Sequence, residues 1–294
     1  MAKIEKVGVC GAGQMGHGIA QVAAQAGYDV VLREVDADRL AKGVGAIDKQ
    51  LARAVEKGKL EQDTADAVKG RMHGTIDYAD LAGCDLVIEA ITEDLEGKLA
   101  MWRELDAIVK PEAIFATNTS SLSVIEQAAA TSRPQQFVGL HFFNPAQVMK
   151  LLEVIRSVAT DEATYAAALA FGDSLGKSTV QTRDQAGFIV NRLLVPYLID
   201  AIGAYGEGVG TIAEVDDAMK AGAGHPMGPL TLADFIGLDT LEAICEALFA
   251  EFRERRFAPP PLLRKLVAAG WHGRKSGLGF YDYSGDAPVP NPGI

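Results

Sequence analysis

Two kinds of hydrophobic patterning divide this chain. Short apolar runs of strand length occupy Lys6 to Cys10, Asp29 to Arg33, Leu86 to Ile91, Ala113 to Thr117, Phe137 to Phe143, Leu151 to Ile155 and Ser178 to Thr182. Between them lie helical patterns: Ile19, Val22, Ala23 and Ala26, then Asp38 to Lys59, Asp94 to Val109 stopped by Pro111, and a short helix from about Ser123. Strands alternating with helices predict a doubly wound, mostly parallel sheet. The turn at Asn144-Pro145 folds one run back along another, adding antiparallel strands at the end of that sheet. Past Gly187 the period changes to helical throughout: Ile189 to Tyr205, Thr211 to Lys220, Leu230 to Phe252 and Pro261 to Ala269, with no convincing strand. The expected organisation is an α/β domain over residues 1–186 and an all-α domain over 187–294. Ser123/Glu126 and Thr211/Glu214 match capping boxes. Gly224 to Pro229 reads as an ordered corner containing a structural His225, and Gly285 to Ile294 as a loose tail.

The first strand runs directly into Gly11-Ala-Gly13-Gln14-Met15-Gly16 and then a helix. That is the Rossmann-like setting of GxGxxG: one glycine for the tight turn, one for backbone approach to a pyrophosphate, one for close helix packing. The second strand ends at Glu34, about twenty residues past the glycines, where a carboxylate binds a ribose diol. Gly11, Gly13, Gln14, Met15, Gly16 and Glu34 are therefore candidate dinucleotide contacts. Glu34 favours NAD by repelling a 2′-phosphate, while Arg33 and Arg39 nearby soften that preference.

Ligands of such sheets bind beyond the carboxyl ends of the strands, where Glu93, Asn118, Ser120 and His141 fall. The Asn144-Pro145 loop brings Glu153 back towards His141. A carboxylate on one imidazole nitrogen fixes the tautomer and stabilises the imidazolium, which leaves the other nitrogen for proton transfer. The competing reading is a half-buried strand histidine and an edge glutamate with no shared role. Ser120 and Ser121 are equally loop hydroxyls that make turns. On the long second helix Lys49, Arg53 and Lys57 recur every fourth residue, either a solvated face or a perch for a phosphorylated substrate handle.

Composition narrows the class. With 48% hydrophobic and 23% charged residues in 294, the chain builds an ordinary folded core. Its net charge of −11 argues against broad binding to nucleic acid or anionic lipid. Cys10, Cys84 and Cys245 are widely spaced, which predicts neither a disulfide framework nor a zinc site, and no metal is expected. The stretch Gly187 to Tyr205 is interrupted by Asn191, Arg192 and Asp200, so it reads as a core helix and not a membrane span. No signal peptide is evident before the first strand, and the expected location is cytoplasmic.

With these residues in view, the chain resembles the 3-hydroxyacyl-CoA dehydrogenase family. The likeness rests on GAGQMGHGIA, VIEAITED, ATNTSSLS, GLHFFNPA with Glu153 downstream, GFIVNR, GAGHPMGPL and GRKSGLGFY, and it spans nearly the whole chain. It implies NAD-dependent oxidation at C3 of an L-3-hydroxyacyl-CoA thioester, short-chain by preference, or the reverse reduction. His141 and Glu153 match the family's catalytic dyad, and Ser120 and Asn191 its polar residues at the reacting oxygens. Glu34, Glu93, Lys98, Asn118, Asn144 and Lys275 fall on positions that touch the dinucleotide. Lys57 falls near a coenzyme A contact, which gives Arg53 and the basic stripe a reason. The helical half resembles the family's substrate and dimerisation region, implying a homodimer. Glu34 departs from a shorter aspartate, Gln185-Ala186 from a proline before the hinge, and Gly224 from an asparagine. Another NAD(P)-dependent hydroxyacid dehydrogenase, or a non-catalytic dinucleotide sensor, shares the same architecture.

Overall fold

A computed structural model describes residues 3–294. The first compact unit runs to Gln185 and the second from Ala186 to Ile294. In the first, β1 (Lys6–Cys10), α1 (Gln14–Gln25), β2 (Asp29–Arg33), α2 (Ala37–Glu56), α3 (Gln62–Gly70) and β3 (Met72–Thr75) form one wing of a sheet. The other wing follows as β4 (Leu86–Glu89), α4 (Leu95–Ile108), β5 (Ile114–Thr117), α5 (Val124–Ala128), β6 (Phe137–Phe142), β7 (Leu151–Arg156), α6 (Glu162–Ser174) and β8 (Ser178–Arg183). Eight strands pair in the order β3-β2-β1-β4-β5-β6-β7-β8. Within this sheet, among the described residues, only β6 and β7 pair antiparallel, so β7 and β8 run against the first six while remaining parallel to each other.

The central strands carry uninterrupted apolar runs because both faces of a parallel sheet are covered by helices. Val7, Val9, Ile88, Ala116, Val138 and Leu140 are all buried to completion or nearly so. Trp102 on α4 meets Phe137 edge-on at 4.8 Å and Phe115 at 5.1 Å, and its indole N–H donates to Gln127 at 3.1 Å. This satisfies the one polar atom that an otherwise apolar cluster would strand.

Three elements of this unit lie outside the sequence expectation. The strand β3 is four residues long, contains Gly74 and is half exposed, so its pairing with β2 comes from backbone geometry at a sheet edge and leaves little apolar signal. Ahead of it, α3 buries only Ala65 and Val68. The Ala-rich α6 shows no clear stripe, yet the parallel β7–β8 pair requires a crossover, and α6 is that crossover. Its start is marked by Asp161, whose carboxylate accepts the Thr164 N–H at 2.6 Å.

The second unit contains α7 (Val190–Gly206), α8 (Ile212–Ala223), α9 (Pro229–Ile236), α10 (Leu238–Phe252), α11 (Pro261–Ala268), β9 (Tyr281–Asp282) and β10 (Val289–Pro290). Val195, Leu198, Ile199 and Ile202 of α7 join Leu230, Leu241, Leu248 and Phe280 in its core. No helix among the described residues is long and apolar enough to cross a membrane. Thr211 and Glu214 complete the capping box of α8, and Ser123 accepts the Glu126 N–H at the start of α5. His225 lies edge-on to Tyr197, whose hydroxyl is 2.9 Å from Nδ1.

Two expectations are corrected here. The helix read over Leu230 to Phe252 is two helices, broken where Gly237 takes a left-handed φ of +101°. The tail is anchored and adds a two-stranded antiparallel ribbon to an otherwise helical unit. Buried Asp234 accepts from the Phe280 and Tyr281 amides at 3.0 and 2.9 Å and from the Tyr283 hydroxyl at 3.0 Å. Asp216, also buried, takes the Tyr281 hydroxyl at 2.9 Å. Those bonds fix the segment just before the tail; within it buried Asn291 donates its side-chain amide to the Gly279 carbonyl at 2.8 Å and its backbone N–H to that of Phe280 at 2.9 Å, partners that a Gly- and Pro-rich run does not reveal.

Burial pushes the Asp234 carboxyl up to about 6, against hydrogen bonds that pull it down. The unfolded chain then binds fewer protons than the folded one between about pH 4 and 6, so this group's contribution is present below that window and lost as pH rises through it. Melting curves of wild type and Asp234→Asn between pH 4.5 and 6.5 test this: the wild type should gain several degrees relative to the variant on acidification.

Candidate active site

The site is laid out by strand register. Cys10 of β1, Glu89 of β4, Thr117 of β5 and Gly139 of β6 stand in one row across the sheet. The loops that follow β1, β4 and β5 and the end of β6 therefore share one edge, the carboxyl edge where open α/β sheets bind ligands.

At β1 the turn closes so tightly that side chains are excluded. A Cβ on Gly11, at φ +101°, would stand 2.5 Å from the Ala90 carbonyl oxygen, and one on Gly16 would stand 1.8 Å from that of Gly11. Gly13 differs: its Cβ would meet nothing within 4 Å, because it faces an open cleft of about 810 Å³. Gly13 is also the N-cap of α1, with no side chain capping the helix and no acid in its first turn, so the amides at Gln14 and Met15 are turned to an incoming anion. Glu34 lines the same cleft, and its carboxylate is fixed by the Ala12 N–H at 2.8 Å and the Val35 N–H at 2.6 Å. Arg33 is stacked over Tyr78 at 3.7 Å, while Arg39 reaches back to Asp36 at 3.3 Å. A glycine cradle at a helix start with a rigid carboxylate beside it fits a dinucleotide.

Beyond β4 and β5 lies a charge cluster built on buried Lys98 and Glu89 and reaching the surface at Glu93. Lys98 of α4 is 1% exposed, and its ammonium meets Glu89 at 3.0 Å and Glu93 at 2.5 Å. Glu89 also accepts from the Thr117 hydroxyl at 2.6 Å and the Ile91 N–H at 2.8 Å. Burial pushes the Glu89 carboxyl above its ordinary range, against the pull of Lys98. Glu93 is also raised by burial, but Lys98 and the donors Thr119 and Ser120 outweigh this and hold it below its ordinary value. Through the Ser120 N–H at 3.0 Å, Glu93 sets the loop that carries the candidate serine. Lys98, which the family resemblance puts at the dinucleotide, is held in place by these two carboxylates.

The last part is the hairpin. Antiparallel pairing sets His141 directly opposite Glu153, and His141 Nδ1 donates to Glu153 Oε2 at 2.7 Å. Both are buried, and Phe143 packs on the imidazole at 4.5 Å between centroids. With Nδ1 committed to a carboxylate, proton exchange with a ligand is confined to Nε2. Asn118 Oδ1 accepts the Phe142 N–H at 2.9 Å, tying the β5 loop to the end of β6, while Asn144 lies exposed just beyond it. Lys49, Arg53 and Lys57 are exposed on the far half of α2 and its end, and the interleaved Asp48 turns to Lys69 at 2.8 Å. In the second unit Asn191 sits in the first turn of α7, and Lys275 is held by Asp239 at 2.5 Å.

Known proteins resemble this chain over nearly its whole length. Residues 6–185 match the model of the 3-hydroxyacyl-CoA dehydrogenase NAD binding domain, and residues 187–283 that of the C-terminal domain. The chain belongs to the 3-hydroxyacyl-CoA dehydrogenase family. It is 51% identical over 98% of its length to a 3-hydroxybutyryl-CoA dehydrogenase of Bradyrhizobium diazoefficiens, covering 99% of that protein. Its fold superposes on (S)-3-hydroxybutyryl-CoA dehydrogenase PaaH1 from Ralstonia eutropha with a TM-score of 0.93 at 43% identity, covering 96% of this chain and all of that one. With FadB2 of Mycobacterium tuberculosis the TM-score is 0.94 at 47% identity, over 96% and 100% of the two chains. It is thus an NAD-dependent dehydrogenase of this family, with its NAD-binding domain over residues 6–185.

Sequence reasoning passed over Glu89 and Thr117, the anchors beneath Glu93. The available signal was a carboxylate ending the apolar run Leu86 to Glu89, since a charge buried there must be paired. Two outcomes follow. Gly13→Val should melt within a few degrees of wild type yet bind NADH at least about tenfold more weakly in a fluorescence titration, whereas Gly16→Val should fail to fold stably. Lys98→Met, which strands the buried carboxylate of Glu89, should cost about 3–5 kcal/mol in denaturant unfolding, with part recovered by adding Glu89→Gln.

Proposed function

We propose that the protein interconverts a short-chain L-3-hydroxyacyl-CoA, 3-hydroxybutyryl-CoA by preference, and its 3-ketoacyl-CoA, with His141 as general base in oxidation and general acid in reduction. The carrying observation is the buried 2.7 Å bond between His141 and Glu153 at the carboxyl edge of the NAD-binding sheet. NAD supplies the acceptor for the hydride that leaves C3. His141 Nε2 takes the hydroxyl proton in the same step, and the Glu153 carboxylate stabilises the imidazolium. Ser120, set by Glu93, holds the reacting oxygen, and Asn191 orients the thioester arm. Glu34 receives the adenosine ribose, and Glu93, Lys98, Asn118, Asn144 and Lys275 border the dinucleotide. Arg53 and Lys57 receive the phosphates of coenzyme A, for which an exposed cationic row in an acidic chain is suited. The short-chain preference is supported by the names of the two 3-hydroxybutyryl-CoA dehydrogenases above. We assign the helical unit to dimerisation and the protein to the cytoplasm.

NADH consumption with acetoacetyl-CoA, a long-chain 3-ketoacyl-CoA and a parallel NADPH series tests the reading. Acetoacetyl-CoA with NADH should be the best pair. His141→Gln and Glu153→Gln should each lower kcat by roughly a hundred- to ten-thousandfold with NADH binding intact. Tight NADH binding without reduction of either thioester would overturn it.

A further inference from the structure

The cofactor loop follows β1 and the dyad sits on β6 and β7, with β4 and β5 intervening. Three strand spacings separate β1 from β6, about 14 Å. Hydride and proton leave the same substrate carbon and its oxygen, so the two sites must keep a fixed distance, and small misplacements are costly.

A chain of side chains spans this gap without passing through the sheet. His17 on α1 has Nδ1 2.7 Å from the carbonyl oxygen of Gly13, the glycine of the NAD cradle. A carbonyl only accepts, so Nδ1 carries the proton and Nε2 accepts from the Gln50 amide of α2 at 3.2 Å. Gln50 then presents its own oxygen to the Gln147 amide N–H at 2.6 Å. Gln147 belongs to the loop between β6 and β7, the loop that joins His141 to Glu153. The same loop packs on α1 so closely that a Cβ on Gly18 would stand 2.7 Å from Gln147 Oε1 and 3.1 Å from Ala146 Cβ. On its other side, Lys177 donates to the carbonyls of Ala146 and Met149 at 2.5 and 2.7 Å. Each donor in the chain meets an acceptor, and the polarity runs one way from Gln147 to Gly13.

We infer that His17, Gln50 and Gln147 form a tether that registers the catalytic hairpin on the NAD-binding loop, and that they are positioning residues for the reaction proposed above. The inference rests on that reading for its kinetic consequence but not for its mechanical one. NADH binding at Gly13 should be felt in the loop over residues 144–150.

Hydrogen exchange tests the mechanical part. In the wild type NADH should slow exchange of the Val148 and Met149 amides, which bond to the Pro145 carbonyl at 3.0 Å. Gln50→Met keeps the side-chain volume and removes the link, so this protection should disappear while NADH affinity stays within about threefold, a difference of less than 1 kcal/mol. With acetoacetyl-CoA, His17→Phe and Gln147→Met should each lower kcat about tenfold and leave KM for the thioester nearly unchanged. The double variant should be no slower than the slower single one, since one link is broken only once. Absence of NADH-dependent protection in the wild type, its persistence in Gln50→Met, or additive losses in kcat would each overturn the tether. A wild type that turns over no thioester would sink the proposed reaction alone, because the exchange comparison still decides the tether.

Discussion

One change of strand direction governs the chemistry of this fold. Six strands run together, and β7 returns antiparallel against β6, which places His141 face to face with Glu153. Side chains alternate between sheet faces, so a slip of one residue in this register would send the two groups to opposite sides. The register is protected by burial: Leu140, Phe142, Leu152 and Val154 flank the pair and all lie in the core. The apolar residues of the hairpin thus decide where its two polar ones meet. The parallel β8, reached through α6, then covers β7 so that the glutamate strand is not itself an edge.

Buried charge is the second theme, and each unit handles it differently. In the NAD-binding unit the ammonium of Lys98 is shared by Glu89 and Glu93, so a cation inside the protein sets the loop after β5 from below. In the helical unit Asp216 and Asp234 are answered by backbone amides and by threonine and tyrosine hydroxyls. Burial decides the titration in both: Asp234 is pushed to about 6 and Glu89 is raised despite Lys98, while Lys98 and the donors around Glu93 outweigh burial there and hold it below its ordinary range. Removing a partner from buried Glu89, Asp216 or Asp234 costs more than the bond itself, since a desolvated group is left behind.

Much of this molecule was legible in its sequence. The alternation of apolar runs and helical patterns, the glycines at 11, 13 and 16, Glu34 twenty residues on, and the Asn144-Pro145 turn between His141 and Glu153 are local signals whose physical meaning does not depend on distant partners. Gly16 is demanded by the Gly11 carbonyl five residues earlier and Gly11 by that of Ala90 just past the neighbouring strand, and their spacing betrays the turn. The basic row on α2 was visible as a period, though what it faces was not.

What only the tertiary structure decided shares one cause: it depends on which residues the topology brings together from far along the chain. The four-residue β3 exists because β2 offers it a backbone edge, and the tail is ordered because β9 pairs with it and Asn291 bonds back to Gly279 and Phe280, a segment that Asp216 and Asp234 hold from 65 and 47 residues upstream. Lys98 was readable as a cation near the NAD loop, but its inward direction followed from Glu89, a carboxylate that no local rule couples to it. The contact of Gln147 with Gln50, 97 positions apart, could not be read from either segment. Sequence determined the elements and the chemical groups; long-range hydrogen bonding and burial determined which of those groups act on one another.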